Sequence, residues 1–216
     1  MLMQPQIIYE DDNVLVVAKP AGMLVHPTVK LEPDTLYGFV KNYYADAHLD
    51  LGVHPVFRLD RFTSGLVLFA KQAKVQAQLS GQAVTKEYLA LVTGNLPAEH
   101  GIIDAPIARK PGSIVERCVS AAGKPALTEY WQLGRHGDVT LVRLKLGTGR
   151  THQIRVHLAS VGCPLWNDHL YGTPGPQSRH GLHAYKLAFI QPVTGKQLEF
   201  TWALPEDLQK ILQQEQ

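Results

Sequence analysis

A carboxylate flanked by two arginines is the first feature of this sequence that could support catalysis. Asp60 lies between Arg58 and Arg61. In an extended chain, residues i and i+2 share a side, so Arg58 and Asp60 are expected to face one groove. A nearby guanidinium stabilises the ionised carboxylate and keeps it available as a nucleophile or a base. The alternative interpretation is an ordinary surface ion cluster ahead of a strand.

The residues that follow Asp60 are expected to hold it at the tip of a rigid element. Thr63, Ser64 and Gly65 predict a turn with short hydrogen-bonding side chains. An apolar strand, Leu66–Ala70, comes directly after them. Sites on rigid elements are better defined than sites on loose loops. The segment therefore predicts an anchored carboxylate.

A second segment combines a glycine turn with arginine and histidine. Gly147 and Gly149 permit a tight turn, and Thr151 is predicted to cap the following helix with its hydroxyl. Arg155 then lies on the second helical turn, with His152 on the same face at i, i+3. A turn of small residues that leads into a basic helix N-terminus suits a phosphate or an RNA backbone. A surface helix with solvated basic residues is the alternative.

Neither the histidines nor the cysteines predict a metal site. His152 and His157 are five residues apart, on different helix faces, whereas a helical zinc pair normally uses i, i+4. Cys118 and Cys163 are far apart in the sequence and match no metal spacing. We expect two unrelated, reduced thiols.

Strand signals outnumber helix signals along the chain. The predicted strands are Val14–Ala18, Gly65–Ala70, Lys86–Val92, Ala126–Leu133, Val139–Leu146, Leu182–Phe189 and Gln197–Trp202. Hairpins are predicted across Gly134–Asp138 and Thr194-Gly195. The predicted helices run from Asp34 or Thr35 to about Tyr44, and over Lys74–Ser80, Thr151–Val161 and Pro205–Gln214. Strands joined mainly by hairpins favour an α+β fold with a largely antiparallel sheet.

Length and composition predict a globular protein of one domain, in one piece or with two lobes. The chain has 216 residues, of which 45% are hydrophobic and 19% charged. No run approaches the roughly 20 consecutive apolar residues of a membrane span, and Met1–Glu10 lacks the pattern of a signal peptide. We therefore expect a cytoplasmic protein. The net charge of +2 does not identify a nucleic-acid binder, but Arg143, Lys145, Arg150 and Arg155 predict a local basic face.

In their order and spacing, these segments resemble the RluA-type pseudouridine synthase family, in the form without an N-terminal RNA-binding domain. Phe57–Leu66 is similar to the family motif His-Arg-Leu-Asp followed by Thr-Ser-Gly, and Gly149–His157 matches the motif Gly-Arg-Thr-His-Gln-Ile-Arg-Val-His in full. Further matches are Val16–Gly22, Lys86–Ala90, Leu182–Ala184 and Gln191–Gly195. Phe57 replaces the family's histidine. An aromatic face for stacking survives this change, whereas a hydrogen bond made by histidine does not.

The resemblance implies a single pseudouridine synthase catalytic domain over residues 1–216, with a mixed, largely antiparallel curved sheet and flanking helices. It also implies an isomerase that breaks the C1′–N1 bond of uridine, rotates the base and rejoins it through C5, without cofactor or metal. Asp60 corresponds to the family's catalytic aspartate. Attack on C1′, attack on C6 and action as a base that leads to a glycal all stay open for it.

Roles for other residues follow from the same resemblance. Arg155 is expected to pair with Asp60 and keep it ionised. Tyr88 is expected to stack on the target base and to serve in proton transfer at C5. Arg58 is expected to help fill the space left by the flipped uridine. The expected substrate contacts are Arg58, Arg61, Thr63, Arg150, His152 and Gln153.

RNA, either tRNA or large-subunit ribosomal RNA, is the partner that the resemblance implies. We expect a monomer with no obligate protein partner and no membrane contact. Two other function classes are alternatives to an enzyme of this kind. A non-catalytic RNA-binding or RNA-folding protein on the same scaffold has only Phe57 in its favour. A glycosidase or nucleosidase would need a carboxylate pair, and only Asp60 stands out.

Overall fold

The computed structural model describes residues 4–27, 34–175 and 178–214. The strands are β1 Gln6–Glu10, β2 Val14–Lys19, β3 His54–Pro55, β4 Ser64–Ala70, β5 Thr85–Thr93, β6 His100–Asp104, β7 Ile107–Arg109, β8 Arg117–Val119, β9 Leu127–His136, β10 Val139–Leu146, β11 Leu182–Ile190 and β12 Gln197–Thr201. The helices are α1 Leu36–Asp46, α2 Ala73–Gly81, α3 Gln153–Ser160 and α4 Glu206–Gln214. The chain forms two compact units, one of Met1–Lys86 with Ala184–Trp202 and one of Glu87–His183 with Ala203–Gln216.

The first unit is built on a sheet whose two central strands are wholly buried. Its strand order is β1-β2-β4-β11, with β12 on β11 and β3 on β4. Every residue of β2 and β4 is buried, and the antiparallel register runs from Val14 opposite Ala70 to Lys19 opposite Gly65. Each fully buried aliphatic side chain contributes roughly 1.5–3 kcal/mol. This strand pair therefore fixes Lys19 beside the first residues of β4.

Gly65 permits a close approach inside the first unit. Its φ is +118°, a conformation that side chains with a Cβ rarely adopt. A Cβ at this position would also collide with the backbone of Ala184. Only glycine fits at this second position of the buried strand β4.

The two helices of the first unit agree with the predictions. Thr35 caps α1, because its hydroxyl accepts a hydrogen bond of 3.1 Å from the Gly38 amide. α1 buries Leu36, Val40 and Tyr44. α2 covers the predicted Lys74–Ser80 and extends it by one residue at each end.

The second unit holds an antiparallel sheet of order β5-β10-β9-β6. The predicted hairpin of β9 and β10 is confirmed, but its turn is tighter than expected: Val139 pairs with His136, so only Gly137 and Asp138 lie between the strands. Gly137 has a φ of +55°, as two-residue hairpin loops require. α4 packs Leu208 and Ile211 into a core cluster of this unit, which confirms the predicted C-terminal helix.

The strands that the sequence analysis missed are short or half-exposed. They are β1, β3, β6, β7 and β8. β6 exposes 60% of Ile102, and β7 and β8 have three residues each. Together with the buried strands they give the predicted α+β fold with a largely antiparallel sheet, which is confirmed. None of the described helices has the length and apolar character needed to cross a membrane.

Candidate active site

Asp60 lies at the start of a tight turn in the first unit. It is half-buried, between the exposed Arg58 and Arg61. The Thr63 amide donates to the Asp60 carbonyl over 3.1 Å, which closes the turn over residues 60–63. The turn predicted at 63–65 therefore lies two to three residues too far along the chain. Ser64 already belongs to the buried β4, which pairs with β2 from Gly65 to Ala70.

A buried lysine clamps this turn to the loop that follows β2. Lys19 is 2% exposed, and its ammonium donates to the carbonyls of Pro20 at 2.9 Å, Met23 at 2.7 Å and Arg61 at 3.1 Å. The Arg61 carbonyl also accepts from the Gly22 amide at 2.8 Å. One side chain from β2 thereby joins residues 42 positions apart in the sequence. The clamp gives the candidate carboxylate the anchored position that the sequence predicts.

Arg61 contributes to the same junction, since its Nε donates to the Gly22 carbonyl over 3.0 Å. Arg58 is exposed and lies near enough to His26 to act on it. Burial first, and the charge of Arg58 second, lower the pKa of His26. The contacts of Arg58 and Arg61 with RNA stay predictions. Thr63 is 2% exposed, so its side chain is buried in the protein.

Phe57, the departure from the family motif, packs against a lysine. The Lys86 Nζ lies 5.1 Å from the centroid of the Phe57 ring, within the range of a cation–π contact. Burial lowers the pKa of Lys86. Lys86 precedes Tyr88 by two residues on β5, so the two side chains leave the strand on the same side. Within the first unit, Phe57 thus packs against the side chain of Lys86.

Helix α3 of the second unit begins two residues later than predicted. Its N-cap is His152, with φ 58° and ψ 20°, and the cap makes no side-chain hydrogen bond. The prediction that Thr151 caps this helix is wrong. The left-handed conformation of His152 interrupts the helical backbone before Gln153, so residues 151 and 152 belong to a turn.

Gln153 organises that turn through all four of its hydrogen bonds. Its Oε1 accepts from the Thr148 hydroxyl at 2.8 Å and from the Arg150 amide at 2.9 Å. Its Nε2 donates to the Leu127 carbonyl at 2.9 Å and to the Thr128 hydroxyl at 3.0 Å. The side chain is buried and engaged by the chain itself. We therefore assign Gln153 a positioning role, while its expected contact with RNA stays a prediction.

The helix is buried, contrary to the interpretation of a solvated surface helix. Gln153 through Leu158 are all buried. His157 is fully buried, with Nδ1 2.9 Å from the Thr128 hydroxyl and Nε2 2.9 Å from the Ala105 carbonyl. A carbonyl only accepts, which places the ring proton on Nε2. Burial lowers the pKa of His157, and the bond to Ala105 opposes this shift without cancelling it.

Arg155 is held by a carboxylate that the sequence analysis did not identify. Its Nε donates to Asp168 Oδ2 over 2.8 Å, and its Nη2 donates to Oδ1 over 2.7 Å. The side chains are 10% and 0% exposed, respectively. Burial would raise the pKa of the Asp168 carboxyl, but the hydrogen bonds and charge of Arg155 outweigh it and hold the pKa below its usual range. Asp60 belongs to the first unit and Arg155 to the second, and their pairing stays a prediction.

Tyr171 joins three parts of the second unit. Its ring centroid lies 4.9 Å from the Arg155 guanidinium carbon. Its hydroxyl accepts from the Arg117 amide at 2.8 Å and lies 2.7 Å from His152 Nδ1. His152 and Arg155 thus both contact Tyr171. Their spacing predicts one shared helix face, but His152 precedes the helix. Arg150 is exposed, and its Nε donates to the Pro125 carbonyl at 3.0 Å.

The sequence pattern of the family described as RNA pseudouridylate synthase matches residues 13–160. This match covers more than half of the chain and includes Asp60, Tyr88 and Arg155. The chain belongs to the RNA pseudouridylate synthase family. The prediction of an RNA pseudouridine synthase, which is an isomerase, is thereby confirmed.

Curated relatives of this pseudouridine synthase extend the likeness to almost the whole chain. The uncharacterized RNA pseudouridine synthase YjbO of Bacillus subtilis is 38% identical, over 97% of this chain and 76% of its own length. The ribosomal large subunit pseudouridine synthase D of Nitrosomonas europaea is also 38% identical, over 96% of this chain but only 64% of its own length. The chain thus spans about two thirds to three quarters of these proteins.

Solved structures agree on the fold. The human RNA pseudouridylate synthase domain containing 4 matches with a TM-score of 0.78 at 23% identity, over 97% of this chain and 92% of its own. The human RNA pseudouridylate synthase domain containing 1 matches with a TM-score of 0.73 at 26% identity, over 98% and 94%. The predicted pseudouridine synthase fold is confirmed by these neighbours.

The remaining predicted catalytic residue of the synthase, Tyr88, lies in the middle of β5, opposite Leu144 of β10. It is 6% exposed, so its ring is packed among protein side chains, and its stacking on a base stays a prediction. Across the described ranges 4–27, 34–175 and 178–214, no group of three or more His, Cys, Asp or Glu side chains is arranged to hold a metal ion.

Proposed function

We propose that this protein isomerises specific uridines of RNA with Asp60 as the catalytic carboxylate. The clamped turn at the start of β4 is the observation that supports this assignment most directly. Lys19 ties the Arg61 carbonyl of this turn to the Pro20 and Met23 carbonyls of the loop after β2. The half-buried Asp60 stands at the first position of the turn. An anchored carboxylate beside two exposed arginines suits a reaction on a polyanion, because the arginines bind phosphate while the carboxylate acts on the nucleoside.

The isomerisation needs no other reactant. The C1′–N1 bond of uridine breaks, the uracil rotates, and a C1′–C5 bond forms, while C5 loses a proton and N1 gains one. Asp60 assists the first step by attack on C1′, by attack on C6 or as the base that leads to a glycal. In this proposal Tyr88 stacks on the target base and transfers the proton at C5. Arg155 pairs with Asp60 and keeps it ionised. Arg58 occupies the space left by the flipped uridine.

Large-subunit ribosomal RNA is the substrate that we propose first, with tRNA second. The relatives in Nitrosomonas europaea and Yersinia pestis, which are 38% and 36% identical, carry the name ribosomal large subunit pseudouridine synthase D. We also propose that the protein acts in the cytoplasm, where ribosomes are assembled, and as a monomer. Cell fractionation and analytical ultracentrifugation test these two proposals.

A deletion strain tests the function and the substrate together. Pseudouridines in its ribosomal RNA and tRNA are mapped and compared with those of the parent strain. At least one site is expected to disappear, and the RNA that contains it is the substrate. The strain is then complemented with the wild-type gene, with Asp60→Asn and with Asp50→Asn, a matched control at an exposed loop residue.

The wild-type gene and Asp50→Asn are expected to restore the missing pseudouridine, and Asp60→Asn is expected to leave it absent. An unchanged map in the deletion strain, combined with a growth or ribosome-assembly defect that Asp60→Asn repairs, would instead support a non-catalytic RNA-folding protein. Release of free uracil would support a nucleosidase. Full restoration of pseudouridine by Asp60→Asn would overturn the assignment of Asp60.

A further inference from the structure

The guanidinium of Arg155 is constrained on one edge and on one face. Asp168 binds its Nε and Nη2 edge through two hydrogen bonds of 2.8 and 2.7 Å, the parallel geometry that makes arginine–carboxylate pairs both strong and directional. The Tyr171 ring covers one face at 4.9 Å. Edge and face together define the plane of the guanidinium and its rotation in that plane, so any contact with substrate or with Asp60 has to come from the remaining N–H groups.

Asp168 is itself held rigidly. Its Oδ1 accepts from the Leu170 amide at 2.9 Å and from the Tyr171 amide at 3.2 Å. The Gly172 amide donates to its carbonyl at 2.9 Å. The carboxylate that orients Arg155 and the ring that covers it are thus parts of one short turn, residues 168–172.

We propose that Asp168 and Tyr171 are positioning residues that set the orientation in which Arg155 acts during uridine isomerisation. This inference rests on the proposed function and adds to it two residues with no reacting atom of their own. A guanidinium that could rotate would meet the reacting groups in several geometries. Displacements of about 1 Å near reacting atoms cost on the order of 100-fold in rate, so a fixed guanidinium has a direct effect on turnover.

A purely structural role is the competing explanation, because a broken buried ion pair destabilises a fold. The two explanations differ in how Asp168 and Arg155 combine. A residue that acts only through Arg155 loses its effect once Arg155 is changed, whereas independent effects add. They also differ in kinetics, since a misaligned catalytic group lowers kcat more than it raises KM.

The test uses the full-length protein and the RNA identified by the deletion strain. Single-turnover rates and KM are measured for wild type, Asp168→Asn, Arg155→Lys and the double variant. Asp168→Asn is expected to lower the rate about 10- to 100-fold with less than about a threefold change in KM, and to lower it less than about threefold when Arg155 is already lysine. Asp207→Asn is the control for the loss of a carboxylate that pairs with an arginine of this unit, because Asp207 lies 3.4 Å from Arg179 and is 52% exposed. No change in rate is expected for it.

Tyr171 keeps the inference testable if Asp168→Asn does not fold. Tyr171→Leu removes the ring and is expected to lower the rate about three- to tenfold, and Tyr171→Phe restores most of it, since the ring alone covers the guanidinium face. A folded Asp168→Asn with a wild-type rate, additive effects in the double variant, or a wild-type rate for Tyr171→Leu would overturn the inference. If Asp60→Asn is inactive in the same assay while these variants are fully active, the proposed function stands and only the positioning role fails. If wild type itself forms no pseudouridine on any RNA, the proposed function fails first.

Discussion

Replacement of Lys19 by methionine is expected to reduce both the stability of the first unit and the turnover of the enzyme. Lys19 is 2% exposed, and its ammonium donates three hydrogen bonds of 2.7–3.1 Å to carbonyl oxygens. Methionine has a similar length and apolar stem, so the packing of the side chain is largely kept. The change therefore removes the buried charge together with its hydrogen bonds and leaves most of the packing in place.

The size of the effect follows from what each carbonyl loses. The Arg61 carbonyl keeps the Gly22 amide as a donor at 2.8 Å, so the main loss falls on Pro20 and Met23. A buried acceptor that loses its donor costs about 1–2 kcal/mol, which gives a decrease of about 2–4 kcal/mol in the free energy of unfolding. Without the lysine, a shift of the turn by about 1 Å would also displace Asp60. Because Asp60 carries out the reaction, the rate is then expected to fall at least about tenfold.

Urea denaturation and single-turnover kinetics measure the two effects, and a second buried lysine provides the control. Lys71 is 7% exposed and pairs with Glu10 at 2.7 Å, next to the far end of β4, about 20 Å along the strand from the clamped turn. Lys71→Met is expected to lower the free energy of unfolding by about 1–3 kcal/mol and to leave the rate within about twofold of wild type.

The comparison separates anchoring of Asp60 from general stability. A rate loss in Lys71→Met equal to that in Lys19→Met would mean that any weakening of the first unit slows the enzyme. A Lys19→Met protein with wild-type rate and a loss of stability below about 0.5 kcal/mol would refute the clamp altogether. Both assays are run at a temperature where each variant is folded.

Three further predictions concern residues of the site and its supports. Phe57→Leu removes the ring that contacts Lys86 and is expected to lower the rate about three- to tenfold. Phe57→Tyr keeps a ring and is expected to restore the rate. Equal rates for wild type, Phe57→Leu and Phe57→Tyr would argue against a cation–π role. Gln153→Ala is expected to lower the free energy of unfolding by about 2–4 kcal/mol in urea, because it removes four hydrogen bonds; Gln132→Ala, on half-exposed β9, is the control. Burial lowers the pKa of His157, so its contribution to stability is present above the unfolded pKa of about 6.5 and is lost as the pH falls below it; unfolding at pH 7.5 and 5.5 should show this decrease, and His157→Gln should reduce it.

Strands whose apolar residues are buried without interruption are predicted to within one residue, and the half-buried β10 is predicted with both ends correct. β2 and β4 read as strands because each is a short β-branched or aliphatic run that ends at turn residues, and both are wholly buried. β6 gives no such signal. It leaves Ile102 60% exposed and owes its conformation to its ladder with β9, a partner that no local pattern reveals.

Helix α3 shows where local preferences lead to a wrong boundary. The spacing of Ile154 and Leu158 correctly predicts a helix, and threonine before a helix usually caps it. His152 nevertheless adopts a positive φ of 58°, which costs a non-glycine residue about 1–2 kcal/mol. Its contact with Tyr171, 19 residues further along the chain, lies outside any local window.

In the candidate site, the sequence likewise reveals the predicted reacting residues more readily than the residues that position them. Motifs locate Asp60 and Arg155, but their supports are buried charged groups whose partners are distant in sequence. Lys19 reaches a carbonyl 42 residues away, and Asp168 binds an arginine 13 residues earlier. A buried charge without partners costs so much free energy that it occurs only where the fold supplies partners. A charged residue at the end of an apolar strand, as Lys19 is, is the sequence signal that could have revealed one of these supports.

The two supports therefore make a joint prediction that neither makes alone. Lys19→Met and Asp168→Asn each remove one charge from a buried position and leave Asp60, Tyr88 and Arg155 themselves unaltered. Both variants should keep a measurable rate, because Asp60 still reaches the uridine in part of the population, whereas Asp60→Asn should keep none. If the supports act on different groups, Asp60 for Lys19 and Arg155 for Asp168, their effects on the rate should multiply in the double variant. A double variant no slower than the worse single variant would mean that the two buried charges support one common geometry.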